Sequence, residues 1–153
     1  MGFPRWGGKK IAWIRVEGSL IRQGPLSLAS YFAANAQSFS DRITKLGMIA
    51  FSGPLCRLLG QKDRSSQSRM AYFSLRDMSE DRIFVLGKEY FENILSDAIL
   101  PGGRGLVERL HREGYEIVLY SDGLSHALEY LPSQFKNISQ LYCNSLEFSQ
   151  GMA

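Results

Sequence analysis

Apolar residues along the chain form short continuous runs near both ends and helix-like spacings in the middle. The run IAWIRV follows two lysines and precedes EGS, and the run YEIVLY is followed by SDG. Both runs are typical of buried strands that end in turn residues. The last stretch, ISQLYCNSLEFSQG, predicts one or two further short strands.

Between residues 25 and 100, apolar positions recur at intervals of three and four, which predicts a helical block. The clearest helix lies in SEDRIFVLGKEYFENILSDAIL, with Ser79 as a candidate N-cap. The most apolar piece is LGMIAFSGPLCRLLG, and we expect Gly53-Pro54 to break its helix. QKDRSSQSR predicts a loop and MAYFSLRDM a short helix. The aromatic residues of this block either pack its core or form an apolar surface for a lipid-like substrate or a partner.

The predicted order is strand, helical block, helix, strand, helix, strand. The helix before the second strand, RGLVERLHREG, is amphipathic and ends at Gly114. Strands separated by helices favour an α/β fold with a parallel sheet and right-handed crossovers. Ligand sites in such sheets lie at the carboxyl ends of strands. Arg15 and Ser121 both occupy such ends, so we expect them to face one crevice.

Composition is that of an ordinary globular protein, with 153 residues, 44% of them hydrophobic and 22% charged. The net charge of +3 comes without a long Lys/Arg run, so the sequence predicts no nucleic-acid partner. No apolar run reaches the roughly 18 residues that span a bilayer. Cys56 and Cys143 lie far apart in a chain without a signal-peptide pattern. We therefore expect a reduced, cytoplasmic protein without a zinc site.

Two stretches together resemble motifs of the haloacid dehalogenase-like superfamily, in its phosphoserine phosphatase-like branch with a helical cap. WIRVEGSL resembles the first motif, an apolar strand followed by Asp-x-Asp-Gly-Thr-Leu. GYEIVLYSDGLSHALEYL resembles the second, an apolar strand that ends in Ser or Thr. The resemblance implies a partial Rossmann-like parallel sheet built from residues 1–24 and 101–153, with a helical cap inserted at 25–100.

The first motif departs from the family pattern at both of its acids. The resemblance implies a nucleophilic, Mg²⁺-binding aspartate and a general acid/base two residues later, but these positions hold Arg15 and Glu17. A guanidinium has no lone pair for attack and repels Mg²⁺. Glu17 reaches one methylene further than aspartate, which misplaces a proton transfer. We therefore expect a catalytically inactive domain without a metal cofactor, with a binding, assembly or regulatory role.

The third and fourth family motifs, a lysine and acidic metal ligands, would follow the second motif. The chain ends at Ala153, near where that section would begin, so we expect either a fragment of a longer polypeptide or a natural short form. An incomplete sheet has an exposed edge, which predicts a homo-oligomer or a protein partner that covers it. The alternative is a phosphomonoester hydrolase completed by a partner chain or by further residues.

Two interpretations of Arg15 stay open. It either holds a phosphate-type anion without hydrolysing it, or it forms an internal ion pair with Glu17 or Asp122. A serine hydrolase is disfavoured because no glycine stands two residues before Ser121. The predicted anion pocket consists of Arg15, Gly18, Ser19, Ser121, Asp122 and Gly123.

Overall fold

A computed structural model describes residues 5–6, 9–58, 72 and 75–153, and the four strands of this part form one sheet. The four strands lie side by side in chain order, with the last three parallel and the first antiparallel to the second. The predicted α/β fold with a parallel sheet is confirmed. The strands are β1 (Arg5–Trp6), β2 (Lys9–Arg15), β3 (Tyr115–Leu124) and β4 (Ile138–Asn144).

Helices connect the parallel strands. A π-helical turn (Phe91–Leu95) and a 3₁₀ turn (Ser96–Ala98) follow the helix that ends at Tyr90, and a second 3₁₀ turn (Pro132–Gln134) lies shortly after the helix that ends at Leu128. Within the described residues, no helix combines the length and apolarity needed to cross a bilayer. The helices are α1 (Pro25–Ala34), α2 (Phe39–Leu58), α3 (Glu80–Tyr90), α4 (Pro101–Arg112) and α5 (Ser125–Leu128).

The strand register gives the sheet two different faces. Ile14 and Leu119 belong to one face and are buried in the main core with Val107 of α4 and Ala127 of α5. Each parallel strand from β2 to β4 is added on the same side of the one before it. Two right-handed crossovers in the same direction therefore place α4 and α5 on this same face of the sheet. The opposite face, here called the aromatic face, carries Trp13, Tyr120 and Tyr142, whose exposures are 55%, 43% and 53%.

The helical block leaves and rejoins the sheet at one place. The Leu100 amide donates to the Leu20 carbonyl at 2.8 Å, and the Arg22 amide donates to the Ala98 carbonyl at 3.0 Å. The division into a core of residues 1–24 and 101–153 and a cap of residues 25–100 stays a prediction. The predicted loop at 61–69 and residues 70, 71, 73 and 74 of the predicted short helix at 70–78 lie outside the described residues, and residues 75–77 form a turn where that helix was expected.

Two details of the sequence-based prediction are wrong. α2 continues through Pro54, where the chain was expected to break. Pro54 and Ala50 are both exposed, so the Ala50 carbonyl that loses its helical donor can accept from water. β3 also runs beyond Tyr120 to Leu124, with a register shift against β4 between these two residues. A bulge of this kind lets turn-like residues remain within a strand.

Candidate functional site

Most of the predicted site residues meet at the carboxyl ends of β2 and β3. Arg15 is the last residue of β2, and Ser121 begins the final four residues of β3. The Val16 amide donates to the Tyr120 carbonyl at 2.9 Å, which fixes the two strand ends side by side. Adjacent parallel strands therefore bring together residues that are 106 positions apart in the sequence numbering, as the strand-end rule predicts.

A turn after β2 requires the glycine of the first motif. Gly18 has φ of +81°, in the left-handed region that disfavours side chains with a Cβ. Its amide donates to the Ile21 carbonyl at 2.8 Å, and the Leu20 amide donates back to the Val16 carbonyl at 2.9 Å. The turn thus satisfies its own backbone groups and holds Glu17 between the two strand ends.

Arg15 contacts two carboxylates at once. Its Nη2 donates to Asp122 Oδ2, and its Nε lies 3.5 Å from Glu17 Oε2. The Glu17 side chain is only 8% exposed, whereas those of Arg15 and Asp122 are about one third exposed. Both ion pairs considered for the sequence are therefore present together. One guanidinium facing two carboxylates leaves this group of three side chains with a formal charge of −1.

Glu17 also links β2 to β3 through Ser121. The Ser121 hydroxyl donates to Glu17 Oε1, and the Gly123 amide donates to Ser121 Oγ at 2.9 Å. Both oxygens of Glu17 thus have a partner within the chain, as do the amides of Gly18 and Gly123. Several donors expected to hold an anion are already engaged in bonds within the protein.

Two residues that the sequence did not single out hold the backbone of Asp122. Its carbonyl accepts from the Tyr72 hydroxyl at 3.1 Å and from Asn144 Nδ2 at 2.8 Å. Burial, and secondarily the charge of Glu17, raises the pKa of Tyr72 far above its ordinary value, so the hydroxyl remains a donor. Asn144 ends β4, and the strand-end rule could have found it. Nothing local to Tyr72 pointed to this contact.

Ser19 stands apart from this network. It lines an open groove of about 580 Å³ together with Trp13, Arg15, Leu110 and Tyr120. The cavity beside Glu17 measures only about 10 Å³, which is close to the volume that one water needs. Of these two cavities, only the groove is large enough for a phosphate-sized ligand, and Arg15 lines it.

The donor set at the strand ends does not suit Mg²⁺. This ion needs free carboxylate oxygens in near-octahedral geometry, and the Arg15 guanidinium lies against both Glu17 and Asp122. In the part of the chain that the structure describes, no group of three or more His, Cys, Asp or Glu side chains could hold a metal ion.

Comparison with known proteins concerns the fold alone. No family model and no curated protein sequence matches the chain. A protein of unknown function from Bordetella pertussis Tohama I matches with a TM-score of 0.70 at 11% identity, over 94% of this chain and 64% of that one. A phospho-aspartyl intermediate analogue of phosphoserine phosphatase matches with a TM-score of 0.60 at 14% identity, over 94% and 60% of the two chains.

A HAD family hydrolase from Salmonella enterica serovar Typhi also matches, with a TM-score of 0.57 at 12% identity, over 93% of this chain and 42% of that one. The chain spans less than two thirds of the length of these three structures. It has the haloacid dehalogenase-like fold of the phosphoserine phosphatase structures, so the predicted resemblance is confirmed for the fold.

Proposed function

We propose that this chain is a catalytically inactive haloacid dehalogenase-like domain with a binding, assembly or regulatory role. The Arg15 guanidinium between Glu17 and Asp122 carries the proposal. It occupies the strand end where the resemblance implies the attacking aspartate and its Mg²⁺. A guanidinium supplies a fixed positive charge there, but it stays protonated and has no lone pair with which to attack phosphorus.

The bonds of Glu17 support the same proposal. A general acid/base must reach the proton that it transfers, usually at about 2.6–3.2 Å. Glu17 instead accepts from Ser121 and Arg15 and is nearly buried. Loss of Mg²⁺ binding forms part of the proposal. The Arg15 guanidinium lies against both nearby carboxylates, Glu17 and Asp122, and so takes the place of a metal ion beside them.

Phosphatase assays test the proposal directly. With para-nitrophenyl phosphate and phosphoserine, with and without Mg²⁺, we expect no turnover above that of a heat-denatured sample. The matched variant is Arg15→Asp, which returns a carboxylate to the first motif position. Mg²⁺ binding to this variant but not to the wild type would show that Arg15 blocks the metal. Metal-dependent turnover by the wild type that is abolished in Glu17→Ala would overturn the proposal.

The alternative, a phosphomonoester hydrolase completed by a partner chain or by further residues, meets the same obstacle at Arg15. Added residues could supply a lysine and acidic groups, but they would not restore a nucleophile at the end of β2. Assaying the product of the longer reading frame, if one continues beyond residue 153, separates the two. Turnover there that survives Glu17→Ala would favour a different catalytic site.

The proposal includes a pocket around Arg15 that still binds a phosphate-type anion. Arg15 would have to exchange a carboxylate for the anion, so we expect weak binding of inorganic phosphate by the wild type. Asp122→Asn frees the guanidinium from one carboxylate and should strengthen phosphate binding, whereas Arg15→Gln should abolish it. Calorimetric titration with phosphate measures both effects. Equal binding by all three proteins would remove Arg15 from the pocket.

An assembly role is supported by the aromatic face of the sheet. The rings of Trp13 and Tyr142 stack with centroids 5.6 Å apart, and Tyr120 beside them is 43% exposed. Clustered exposed aromatic side chains are typical of interaction surfaces. A second copy or a protein partner on the sheet, and a cytoplasmic location, stay predictions.

A further inference from the structure

The last five residues of the sequence form a tight turn. The Ser149 amide donates to the Met152 carbonyl at 2.8 Å, and the Met152 amide donates to the Ser149 carbonyl at 3.1 Å. The two residues between them, Gln150 and Gly151, have φ of +53° and +77°. Positive φ at both central positions is characteristic of a type I′ turn, which two-residue hairpins favour. Residues 149–153, here called the C-terminal turn, therefore have a regular hairpin geometry.

This turn is bonded to the chain that leads into α3. The Asp77 amide donates to the main-chain oxygen of Ala153 at 3.1 Å, and the Ala153 amide donates to the Met78 carbonyl at 3.0 Å. Residues 75–79 are here called the pre-α3 segment. Reciprocal main-chain bonds of this kind fix the turn and the segment to each other without any contribution from side-chain chemistry.

The C-terminal turn also caps α3. Glu80 is the first residue of this helix, so its amide has no acceptor within the helix. Ser79 stands at the N-cap position, but its side chain makes no capping bond. The Glu80 amide donates instead to the Gly151 carbonyl at 2.9 Å. The turn therefore replaces the side-chain cap that the sequence predicted.

A continuous series of hydrogen bonds leads from this contact to the candidate site. The Met78 amide donates to the Leu75 carbonyl at 3.1 Å, and the Leu75 amide donates to the Tyr72 carbonyl at 2.9 Å. The Tyr72 hydroxyl donates to the Asp122 carbonyl in the last residues of β3. Burial, and then the charge of Glu17, raises the pKa of Tyr72, so the phenol lies near this carboxylate as well. The pre-α3 segment thus connects the C-terminal turn with the strand ends.

Backbone strain is concentrated where the turn meets the segment. Two of the three non-glycine residues with positive φ in the described part of the chain lie here, Asp77 at +66° and Gln150 at +53°. Such conformations cost free energy and persist only where their surroundings hold them. This contact is therefore less stable than the buried core around it, and we expect it to open first.

We propose that the C-terminal turn is a strap that holds the pre-α3 segment and Tyr72 closed over the end of β3. When the strap opens, the segment loses its main-chain partners and Tyr72 can withdraw from the Asp122 carbonyl. The Glu17 side chain, only 8% exposed in the closed arrangement, then becomes accessible. The strap acts in this way whether or not the strand-end site binds an anion.

Two opposed variants of the turn test the strap by hydrogen exchange of single amides, followed by NMR. Gly151→Val places a β-branched side chain at a φ of +77°, and we expect the Asp77 and Glu80 amides to exchange roughly tenfold faster. Gln150→Asn creates the Asn-Gly pair that suits a type I′ turn, and it should slow both amides. Both positions are exposed, so both variants should fold, and circular dichroism checks this.

The reach of the strap is measured at Gly123. The Asp122 carbonyl and the Gly123 amide belong to the same peptide group, so loss of the bond from Tyr72 should loosen this amide. Asn144 Nδ2 still holds the carbonyl, so we expect exchange at Gly123 to become only about threefold faster in Gly151→Val.

An amide at the opposite end of the sheet is the internal control. The Gly114 amide donates to the His111 carbonyl at 2.9 Å, directly before β3, and its exchange should not change in either variant. Faster exchange confined to Asp77 and Glu80 would overturn the proposal, because the turn would then be only a local cap. Unchanged exchange at these two amides would overturn it as well.

Tyr72→Phe tests whether the strap acts through the tyrosine hydroxyl. In this background, Gly151→Val should still speed exchange at Glu80 but should have no further effect at Gly123, because the last bond of the series is already absent. An equal effect of Gly151→Val at Gly123 with and without the hydroxyl would overturn the proposed connection through Tyr72.

Discussion

α3 and α2 belong to the same helical block, but their apolar residues have opposite environments. In α3, Ile83, Leu86 and Tyr90 are almost fully buried in the main core. In α2, the largest apolar side chains with a described environment, Phe39 and Phe51, are exposed to about three quarters of their surface. α3 therefore buries its inner side in the main core, although its Phe84 and Val85 are about half exposed, whereas most of the described large apolar side chains of α2 remain on the surface.

α3 also makes a close backbone contact with α5. Gly87 of α3 faces the carbonyl of His126 in α5, and a Cβ on Gly87 would lie 2.3 Å from that oxygen. α5 follows β3 directly, so this contact lies next in the chain to the strand end that carries Ser121 and Asp122. α3 thus packs against the helix that follows β3, whereas the small core of α2 among the described residues is formed mainly with α1.

The largest expected effect comes from the same substitution in the two helices. Gly87→Ala forces α3 away from α5 and should lower the free energy of unfolding by about 3 kcal/mol. Gly47→Ala places its methyl group more than 4 Å from the described residues outside its own helix and should raise this free energy by about 0.5 kcal/mol, since alanine favours helix over glycine. Urea denaturation at low protein concentration measures both. Similar losses in the two variants would contradict the contrast between the helices.

The second prediction concerns the ends of β2 and β3. Glu17→Gln removes the negative charge of the carboxylate that contacts both Arg15 and Ser121, and the Glu17 side chain is only 8% exposed. We expect a loss of about 2 kcal/mol in the free energy of unfolding. Glu89→Gln, at an exposed position of α3, is the matched control and should change stability by less than about 0.5 kcal/mol. A stabilised Glu17→Gln would instead indicate that Glu17 is held at a cost for a function.

Sequence patterns predicted the strands because burial imposes continuous apolar runs. All of IAWIRV except its last residue lies in β2, and YEIVLY begins β3. The rule that sites lie at strand ends correctly predicted that Arg15 lies near Ser121 and Asp122. The pattern did not predict that Arg15 contacts both carboxylates, because that depends on side-chain directions at two strand ends. The pattern also predicted that β3 ends at Tyr120, whereas a bulge lets Ser121 to Gly123 remain in the strand.

Long-range contacts were beyond the sequence for a similar reason. Tyr72 donates to the Asp122 carbonyl from a position 50 residues earlier, and no local periodicity specifies such a pair. The apolar character of α2 was visible, but its exposure was not. A helix with apolar groups on both sides is usually buried on both, and only the packing of α1 against one side shows which residues remain uncovered.

The smallest expected effect is a pH dependence at the contact between α3 and α5. His126 packs edge-on against Phe84 at 4.8 Å and Phe148 at 5.6 Å between ring centroids. Burial lowers the pKa of His126 below its ordinary value, although Glu129 and Glu80 partly oppose this. The unfolded chain therefore takes up a proton at a higher pH than the folded chain does.

It follows that the neutral His126 side chain contributes fully to the free energy of unfolding above about pH 6.5. This contribution is lost as the pH falls from there through the lower pKa that His126 has in the folded chain. The free energy of unfolding should decrease over this window by no more than about 1.4 kcal/mol per pH unit from this one group. Urea denaturation at a series of pH values, compared with His126→Gln, isolates it, because the variant should lack this part of the slope. An unchanged slope in the variant would assign the pH dependence to groups outside the contact between α3 and α5.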